Sequence, residues 1–100
     1  LITPECPSVF IIEGTELSAK TIANMQEVKA RKGPVLAIAP EDIEIPAEAA
    51  DDIFRLPVAH EVIRPILANL PLLLFAYHFA RIRCLGVDKP RNLAKSVTVE

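Results

Sequence analysis

Lys95 is the residue of this sequence whose type and surroundings point most directly to chemistry. It lies between Ala94 and Ser96, with Val97 and Val99 following, so its immediate neighbours carry no charge. A lysine that is held against a folded body loses hydration, which lowers its pKa and lets the neutral amine form a Schiff base with a carbonyl substrate. The residues alone favour the simpler interpretation, a solvated lysine near the end of the chain.

The other residues with reactive side chains do not form a recognisable site. We expect His60 to face solvent and His78 to be a structural residue within a helix. Cys6 and Cys84 lie far apart, and we expect both to be reduced, partly buried thiols that serve packing. This set predicts no metal site and no cofactor. The acidic residues around Pro46 are interpreted as parts of a solvated loop: Glu41, Asp42, Glu44, Glu48, Asp51 and Asp52.

Charge and hydropathy exclude two classes of partner. The formal net charge is −2 and acids and bases are interspersed, so no basic face indicates a nucleic-acid-binding protein. Residues 62–82 are apolar enough to suggest a membrane span, but charged residues, an amide, a histidine and two prolines interrupt them. We therefore expect a buried helix in a soluble domain. Gly14-Thr15 could bind an anion at a helix start, but a single Gly-Thr pair matches most capped βα turns, so a helix cap is the favoured interpretation.

The apolar runs predict the strands that would position these residues. Continuous runs at 9–12 and 35–39 are typical of strands buried on both faces of a parallel sheet. A weaker run at 53–56 predicts a third strand. Between the first two strands the spacing predicts a helix that Thr15 caps and that a left-handed Gly33 ends.

A second helix is predicted over residues 61–84, and its apolar residues cover a broad arc. Such a helix needs cover on more than one side, from the sheet together with another subunit or domain. Pro71 removes an amide donor and predicts a kink or a break near residues 68–71. Gly86 is predicted to end the helix.

These elements predict an α/β fold: a partial parallel three-layer sandwich of about three strands and two helices, with an irregular C-terminal tail. A three-stranded sheet with only two helices leaves an apolar edge and face uncovered. We therefore expect the chain to be part of a larger structure. Residues 1–86 would form half of a domain, and residues 87–100 would form the tail.

Two segments resemble the glucosamine-6-phosphate synthases, the glutamine:fructose-6-phosphate amidotransferases. Residues 71–78 resemble that family's Pro-Leu-Gln-Leu-Leu-Ala-Tyr-His and depart from it at Leu73 and Phe75. The tail resembles the family's closing segment, including its Thr-Val-Glu terminus, and reads Val87-Asp88-Lys89-Pro90-Arg91-Asn92-Leu93-Ala94-Lys95-Ser96-Val97-Thr98-Val99-Glu100.

The resemblance implies a fold and an activity. It places the chain in the C-terminal half of the second sugar-isomerase (SIS) subdomain, with a tail that closes over the sugar site. In this family a glutaminase domain releases ammonia, which passes through an internal channel to fructose 6-phosphate and gives glucosamine 6-phosphate. By the motif match, Lys95 would form the imine with the open-chain ketose and Ala94 would contact the sugar through its backbone. Ala94 and Val97 would lie along the ammonia path, and the enzyme would be a cytoplasmic homodimer.

The family's phosphate loop, ring-opening histidine and glutamate base are expected outside these residues. Neither His60 nor His78 matches them, so we expect the chain alone to lack synthase activity. Two other interpretations stay open: another SIS sugar-phosphate isomerase, deaminase or deglycase, and a non-catalytic SIS module that binds a sugar phosphate. The ending from Ala94 to Glu100 favours the synthase.

Overall fold

A computed structural model describes residues 1–88 of the chain. The predicted tail residues Ala94, Lys95 and Val97 lie outside this described part. The predicted number and order of elements are confirmed. The structure has two helices and three strands: β1 (Ser8–Ile11), α1 (Ser18–Ala30), β2 (Val35–Pro40), β3 (Asp52–Leu56) and α2 (Arg64–Ile82).

The three strands form one parallel sheet in the order β1-β2-β3, as the apolar runs predicted. The register pairs Ile11 with Ile38 and Ile38 with Phe54. β2 is buried because it has a strand on each side, and its Ala37 and Ala39 are 0% exposed. Since all three strands run the same way, their carboxyl ends meet at a single edge of the sheet, where ligands of open α/β sheets usually bind.

Helix α1 and the connection between β2 and β3 cover one face of this sheet. Met25 is the buried residue of α1 and is 0% exposed. Burying a methionine of this kind stabilises the fold by roughly 1.5–3 kcal/mol. The buried cluster that forms this side of the core consists of Ile12, Met25, Val35, Ala37, Ala39, Ile45 and Ala49.

The opposite face of the sheet is partly exposed: its central Ile38 is 2% exposed, but the side chains around it are not buried. Val9 is 43% exposed, Ile11 is 38% exposed and Phe54 is 48% exposed, and the register places all three on this face. The prediction that β1 is buried on both faces is therefore wrong within the described chain. The prediction that two helices leave an apolar face uncovered is confirmed in part, because these three side chains keep more than a third of their surface exposed within residues 1–88.

Thr15 does not cap α1 as predicted. Leu17 occupies the cap position and makes no side-chain cap hydrogen bond, and the helix begins at Ser18. Thr15 forms a turn ahead of the helix, in which its Oγ1 accepts the Leu17 amide at 3.3 Å and its carbonyl accepts the Ser18 amide at 3.0 Å. A hydroxyl can stabilise such a turn in place of the helix end.

Lys32, and not Gly33, takes the left-handed conformation that ends α1. Its φ is 63°, and its amide donates to the Lys29 carbonyl at 2.8 Å. The Gly33 amide donates to the Val28 carbonyl at 3.1 Å, which completes a Schellman motif. Gly33 is needed for a different reason: a Cβ there would lie 2.5 Å from Ile2 Cγ2 and 2.9 Å from Val28 Cγ1.

Helix α2 ends in the same way, at Ile82, before the predicted Gly86. Cys84 has a φ of 53° and donates its amide to the Arg81 carbonyl at 3.0 Å. The Leu85 amide donates to the Ala80 carbonyl at 2.8 Å. Both helices therefore end on a side-chain-bearing residue in the left-handed region.

Helix α2 continues through Pro71, so the predicted break is wrong. The predicted kink stays a prediction. The chain divides into two compact units, Leu1–Asn69 and one that begins at Leu70, and the first turn of α2 belongs to the first unit. The predicted boundary at residue 86 also stays a prediction.

The expectation that α2 is buried is wrong within the described residues. Ala68 is its buried residue. By length and composition alone α2 could cross a membrane, with a mean hydropathy of 1.3 and 11% of its residues buried. A span would need about 20 residues in hydrocarbon, but Arg64 and Ala68 are already packed in the first unit. The exposed apolar side chains of α2 include Ile66, Leu70, Leu73, Leu74, Phe75, Tyr77, Phe79 and Ile82.

Candidate functional site

The carboxyl edge of the sheet is closed by the start of α2. A cavity at this edge has a volume of about 10 Å³, which is room for about one water molecule. A sugar phosphate does not fit such a space. The residues that line it come from the ends of all three strands and from α2: Ile12, Glu13, Pro40, Leu56, Pro57, Arg64, Leu67 and Ala68.

Arg64 fills much of this edge with its guanidinium group. Its Nε donates to the Ala59 carbonyl at 2.9 Å, and its Nη1 donates to the Glu13 carbonyl at 2.9 Å. Nη1 also lies 3.4 Å from the Gly14 carbonyl oxygen. One side chain therefore joins the loop after β1, the loop after β3 and the first turn of α2.

Sequence reasoning missed this role for Arg64 and treated the residue only as an interruption of an apolar stretch. A signal was present, because the first turn of a helix is positive and disfavours a cation. An arginine at that position, with no acidic residue in the same turn, needs acceptors elsewhere in the fold. Here three backbone carbonyls supply them.

A second, open groove of about 200 Å³ runs beside the start of α1. Its polar lining groups are the Glu13 carboxylate and hydroxyls, and no basic side chain lines it, so its charge disfavours a phosphate. The Ser18 Oγ is buried here without a hydrogen-bond partner. The residues that line the groove are Ile11, Glu13, Thr15, Leu17, Ser18 and Thr21.

Asp51 is the acidic residue of the predicted loop that has a defined structural role. Its Oδ1 accepts a hydrogen bond from Lys29 Nζ at 2.5 Å, and its Oδ2 accepts the Val35 amide at 2.7 Å. The hydrogen bond from Lys29, followed by that from the Val35 amide, holds the pKa of Asp51 below its ordinary value, and desolvation opposes them. Asp51 therefore does not behave as a freely solvated carboxylate, although its side chain is 47% exposed.

The histidines and cysteines do not come together. His60 is exposed as predicted, and its Nδ1 accepts the Val62 amide at 3.3 Å ahead of α2. His78 is exposed on α2, with its ring 5.2 Å from that of Tyr77. Cys6 and Cys84 are exposed free thiols, so the prediction of partly buried cysteines is wrong. Within residues 1–88 no group of three or more His, Cys, Asp or Glu could hold a metal ion.

The predicted reactive residue lies elsewhere in the chain. Lys95, Ala94 and Val97 fall outside the described residues, so their roles stay predictions. The described part supplies a sheet edge closed by Arg64, a groove with a negative lining and two uncovered apolar surfaces.

The parallel sheet, its closed carboxyl edge and the sequence define the class of this protein. Residues 1–83 match the model of the SIS domain, so the chain belongs to the SIS domain family. It is 47% identical over 100 residues to the glutamine–fructose-6-phosphate aminotransferase [isomerizing] of Gloeobacter violaceus and 49% identical over 100 residues to that of Symbiobacterium thermophilum. Each match covers all of this chain and 16% of the relative.

A solved structure agrees with this assignment. The C-terminal domain of glucosamine-fructose-6-phosphate aminotransferase from Francisella tularensis superposes with a TM-score of 0.81 at 28% identity. The match covers 89% of this chain and 25% of that one. The resemblance predicted from the sequence is therefore confirmed: the chain matches part of the SIS region of these aminotransferases and spans about one-sixth of their length.

Proposed function

We propose that this chain forms the C-terminal half of the second SIS subdomain of an enzyme that makes glucosamine 6-phosphate from fructose 6-phosphate and glutamine. The observation that carries the proposal is the 47% identity over all 100 residues to an aminotransferase of that name. Because the chain spans 16% of that relative, the activity belongs to a longer protein. In this proposal the chain alone is inactive.

Lys95 contributes the chemistry of this chain in the proposed enzyme. Its neutral amine attacks the keto carbon of open-chain fructose 6-phosphate, and loss of water forms an imine. The imine is a better electrophile for ammonia than the ketone is, and it makes the neighbouring proton easier to remove. Ala94 contacts the sugar through its backbone, and Ala94 and Val97 line the ammonia path. Because the imine formed from the Lys95 amine is itself the electrophile, the proposed step needs no metal and no cofactor.

The geometry of the described residues supports the proposal that other parts of the enzyme bind the sugar phosphate. The carboxyl-edge cavity of about 10 Å³ is too small for a sugar phosphate. The groove beside α1 has one acidic residue, Glu13, and no basic residue in its lining, and this charge disfavours a phosphate. In the proposed enzyme the phosphate-binding groups, the ring-opening acid and the base therefore come from parts of the protein beyond these residues.

The uncovered apolar surfaces support the proposed partners. Phe54 on the sheet is 48% exposed and Leu73 on α2 is 58% exposed, which would be costly in a free domain. The missing SIS and glutaminase parts, together with a second copy in a homodimer, would cover them. We place this assembly in the cytoplasm, without a membrane or nucleic-acid partner.

Borohydride trapping on the full-length protein tests the proposal. Incubation with fructose 6-phosphate and reduction should leave a hexose-phosphate adduct on the peptide that carries Lys95, detected by mass spectrometry. Lys95→Met should abolish the adduct and glucosamine 6-phosphate formation, whereas Lys89→Met, in the same tail, should retain both.

The same experiment separates the alternatives. Formation of glucosamine 6-phosphate that requires glutamine indicates the aminotransferase, whereas conversion that proceeds without glutamine indicates a deaminase or deglycase. A protein that binds fructose 6-phosphate without an adduct on Lys95 would be a binding module, and the catalytic proposal would then be wrong.

A further inference from the structure

We infer that Arg64 is a positioning residue that holds the loop after β1 and the loop after β3 together as one unit, and that its guanidinium packs against Gly14. The inference concerns the described chain itself and does not depend on the proposed activity. It rests on the Arg64 hydrogen bonds and on the space around Gly14.

The first part of the argument is the fork of hydrogen bonds. Nε and Nη1 belong to the same planar guanidinium, and each donates at 2.9 Å to a different loop, to the carbonyls of Ala59 and Glu13. A single donor group could satisfy only one of these loops. Because arginine presents several donors in a fixed plane, the positions of the two carbonyls become tied to each other.

The strength of this link follows from charge and burial. The acceptors are backbone carbonyls and the donor is permanently charged; the bond to Ala59 is partly buried, whereas the bond to Glu13 is exposed and is therefore the weaker of the two. Hydrogen bonds from charged donors are stronger than those between neutral groups. The same side chain belongs to the first turn of α2, so a shift of either loop must also move that turn or break a bond.

The second part of the argument is Gly14. Its φ is +75°, a conformation that side chains rarely adopt, and a Cβ built there would lie 2.8 Å from Arg64 Nη1. It would also lie 3.3 Å from Ile43 Cδ1. The positive φ by itself favours glycine. The guanidinium is the flexible end of a side chain and could move away from a Cβ, but only by disturbing its hydrogen bonds to the loops, so the two residues should behave as an energetically coupled pair.

The consequence concerns how the sheet edge responds. In open α/β sheets the loops at the carboxyl edge are the parts that usually meet ligands. In this chain the loops after the two outer strands are joined by Arg64 across the end of β2. A displacement of one loop is therefore transmitted to the other and to α2 through a single side chain.

Amide hydrogen exchange on the full 100-residue chain tests the inference. The reporters are the Ser18 amide, which donates to Thr15, and the Ile63 amide, which donates to His60. Arg64→Ala should speed exchange at both reporters on the order of tenfold, the effect of losing a hydrogen bond from a charged donor. Arg64→Lys should fail to restore at least one loop, because a point ammonium cannot reproduce the fork.

The matched control is Arg31→Ala. Arg31 also donates to a backbone carbonyl, that of Glu27, but within its own helix. It should leave both reporters unchanged. Acceleration of only one loop by Arg64→Ala, or equal acceleration at the central Ala37 amide, would overturn the inference, since the latter would reflect global unfolding alone.

A measurement on the unmodified chain guards against a variant that does not fold. The Nε–H of Arg64 should give a nitrogen-15 NMR signal that exchanges more slowly with water than the Nε–H of Arg31. Equal exchange of the two signals would mean that the Ala59 hydrogen bond does not persist, and the inference would fail.

A double-mutant comparison tests whether Gly14 and Arg64 are energetically coupled. Gly14→Ala should accelerate exchange at Ser18 by a larger factor in the wild-type chain than in the Arg64→Ala chain, where only the backbone strain remains. Equal factors in the two backgrounds would show that Gly14 and Arg64 act independently.

Discussion

Lys29 Nζ and Asp51 Oδ1 lie 2.5 Å apart, and the other oxygen of the same carboxylate accepts the Val35 amide at 2.7 Å. This arrangement joins the last turn of α1 to the first residue of β2 and to the segment just before β3. Asp51 also donates its own amide to the Val35 carbonyl at 2.9 Å, so it extends the sheet pairing by one residue. The pair therefore connects three elements at the amino end of the sheet.

Acid should weaken this connection. The pKa of Asp51 is lowered in the folded chain, first by the hydrogen bond from Lys29 and then by that from Val35. Its contribution to stability is therefore fully present above the ordinary carboxyl pKa and is lost as the pH falls through the lowered one. Thermal unfolding followed by circular dichroism should show a smaller acid-induced drop in Tm for Asp51→Asn than for the wild type.

Asp52→Asn is the control for this comparison, because the neighbouring carboxylate makes no hydrogen bond within the described residues. It should retain the wild-type dependence of Tm on acid pH. An unchanged acid dependence in Asp51→Asn would mean that the carboxylate does not stabilise the fold.

The residue that ends α1 offers a route to a more stable chain. Lys32 has a φ of 63°, a conformation in which a Cβ costs roughly 1–2 kcal/mol. Lys32→Gly removes that strain and adds some unfolded-state entropy, so it should raise the free energy of unfolding in urea by about 0.5–1 kcal/mol.

Arg31→Gly provides the comparison, since Arg31 has a φ of −89° and gains nothing from glycine. It should lower the free energy of unfolding. A loss of stability in Lys32→Gly would show that the lysine side chain contributes more than its backbone strain costs.

The buried and exposed apolar residues should differ sharply on truncation. Met25 is 0% exposed, so Met25→Ala should lower the free energy of unfolding by about 2–5 kcal/mol through lost burial and a residual cavity. Leu73 is 58% exposed on α2, and Leu73→Ala should change the stability of the isolated chain by less than about 0.5 kcal/mol.

In the full-length protein the losses of stability caused by Met25→Ala and Leu73→Ala should become similar. If other parts of the protein cover α2, Leu73→Ala will also become strongly destabilising there. A Leu73→Ala variant that remains neutral in the full-length protein would show that this face of α2 is exposed in the assembled enzyme.

The purified chain should not make glucosamine 6-phosphate. The sheet edge in the described residues has room for about one water molecule, and the expected phosphate-binding and acid–base groups lie elsewhere. Incubation with fructose 6-phosphate and either glutamine or ammonia, followed by chromatography of the amino sugar, checks this expectation. The full-length protein is the positive control, and product from the chain alone would contradict the proposal.

The strands were predictable because short continuous apolar runs between turn residues are typical of buried strands. The helix ends were not, since the rule that favours glycine pointed to Gly33 and Gly86. The chain instead uses Lys32 and Cys84, and Gly33 serves close packing against Ile2. Local rules rank residues by their preference for a backbone conformation, but they carry no information about side chains that pack against the position from elsewhere in the fold.

The prediction that β1 is buried on both faces was wrong for a different reason. Val9 and Ile11 have the apolar pattern of a strand covered on both sides, and such a pattern responds to every part of a protein that packs on the strand. Within the described residues both side chains keep more than a third of their surface exposed, so the pattern and the exposure disagree. For Arg64 the sequence could indicate that acceptors were needed but not which ones, because its three acceptors are backbone carbonyls, which every residue has.

The order of the strands explains why the face of the sheet opposite α1 stays exposed. The chain crosses the sheet in one direction, from β1 through β2 to β3. Connections between parallel strands are nearly always right-handed, so successive crossings in one direction place every connection on the same side. Ile45, from the second connection, accordingly packs in the same cluster as Met25, from the first. A chain wound in this way cannot cover the side that holds Val9 and Phe54 with its strand connections, so any cover there has to come from a segment other than these two connections.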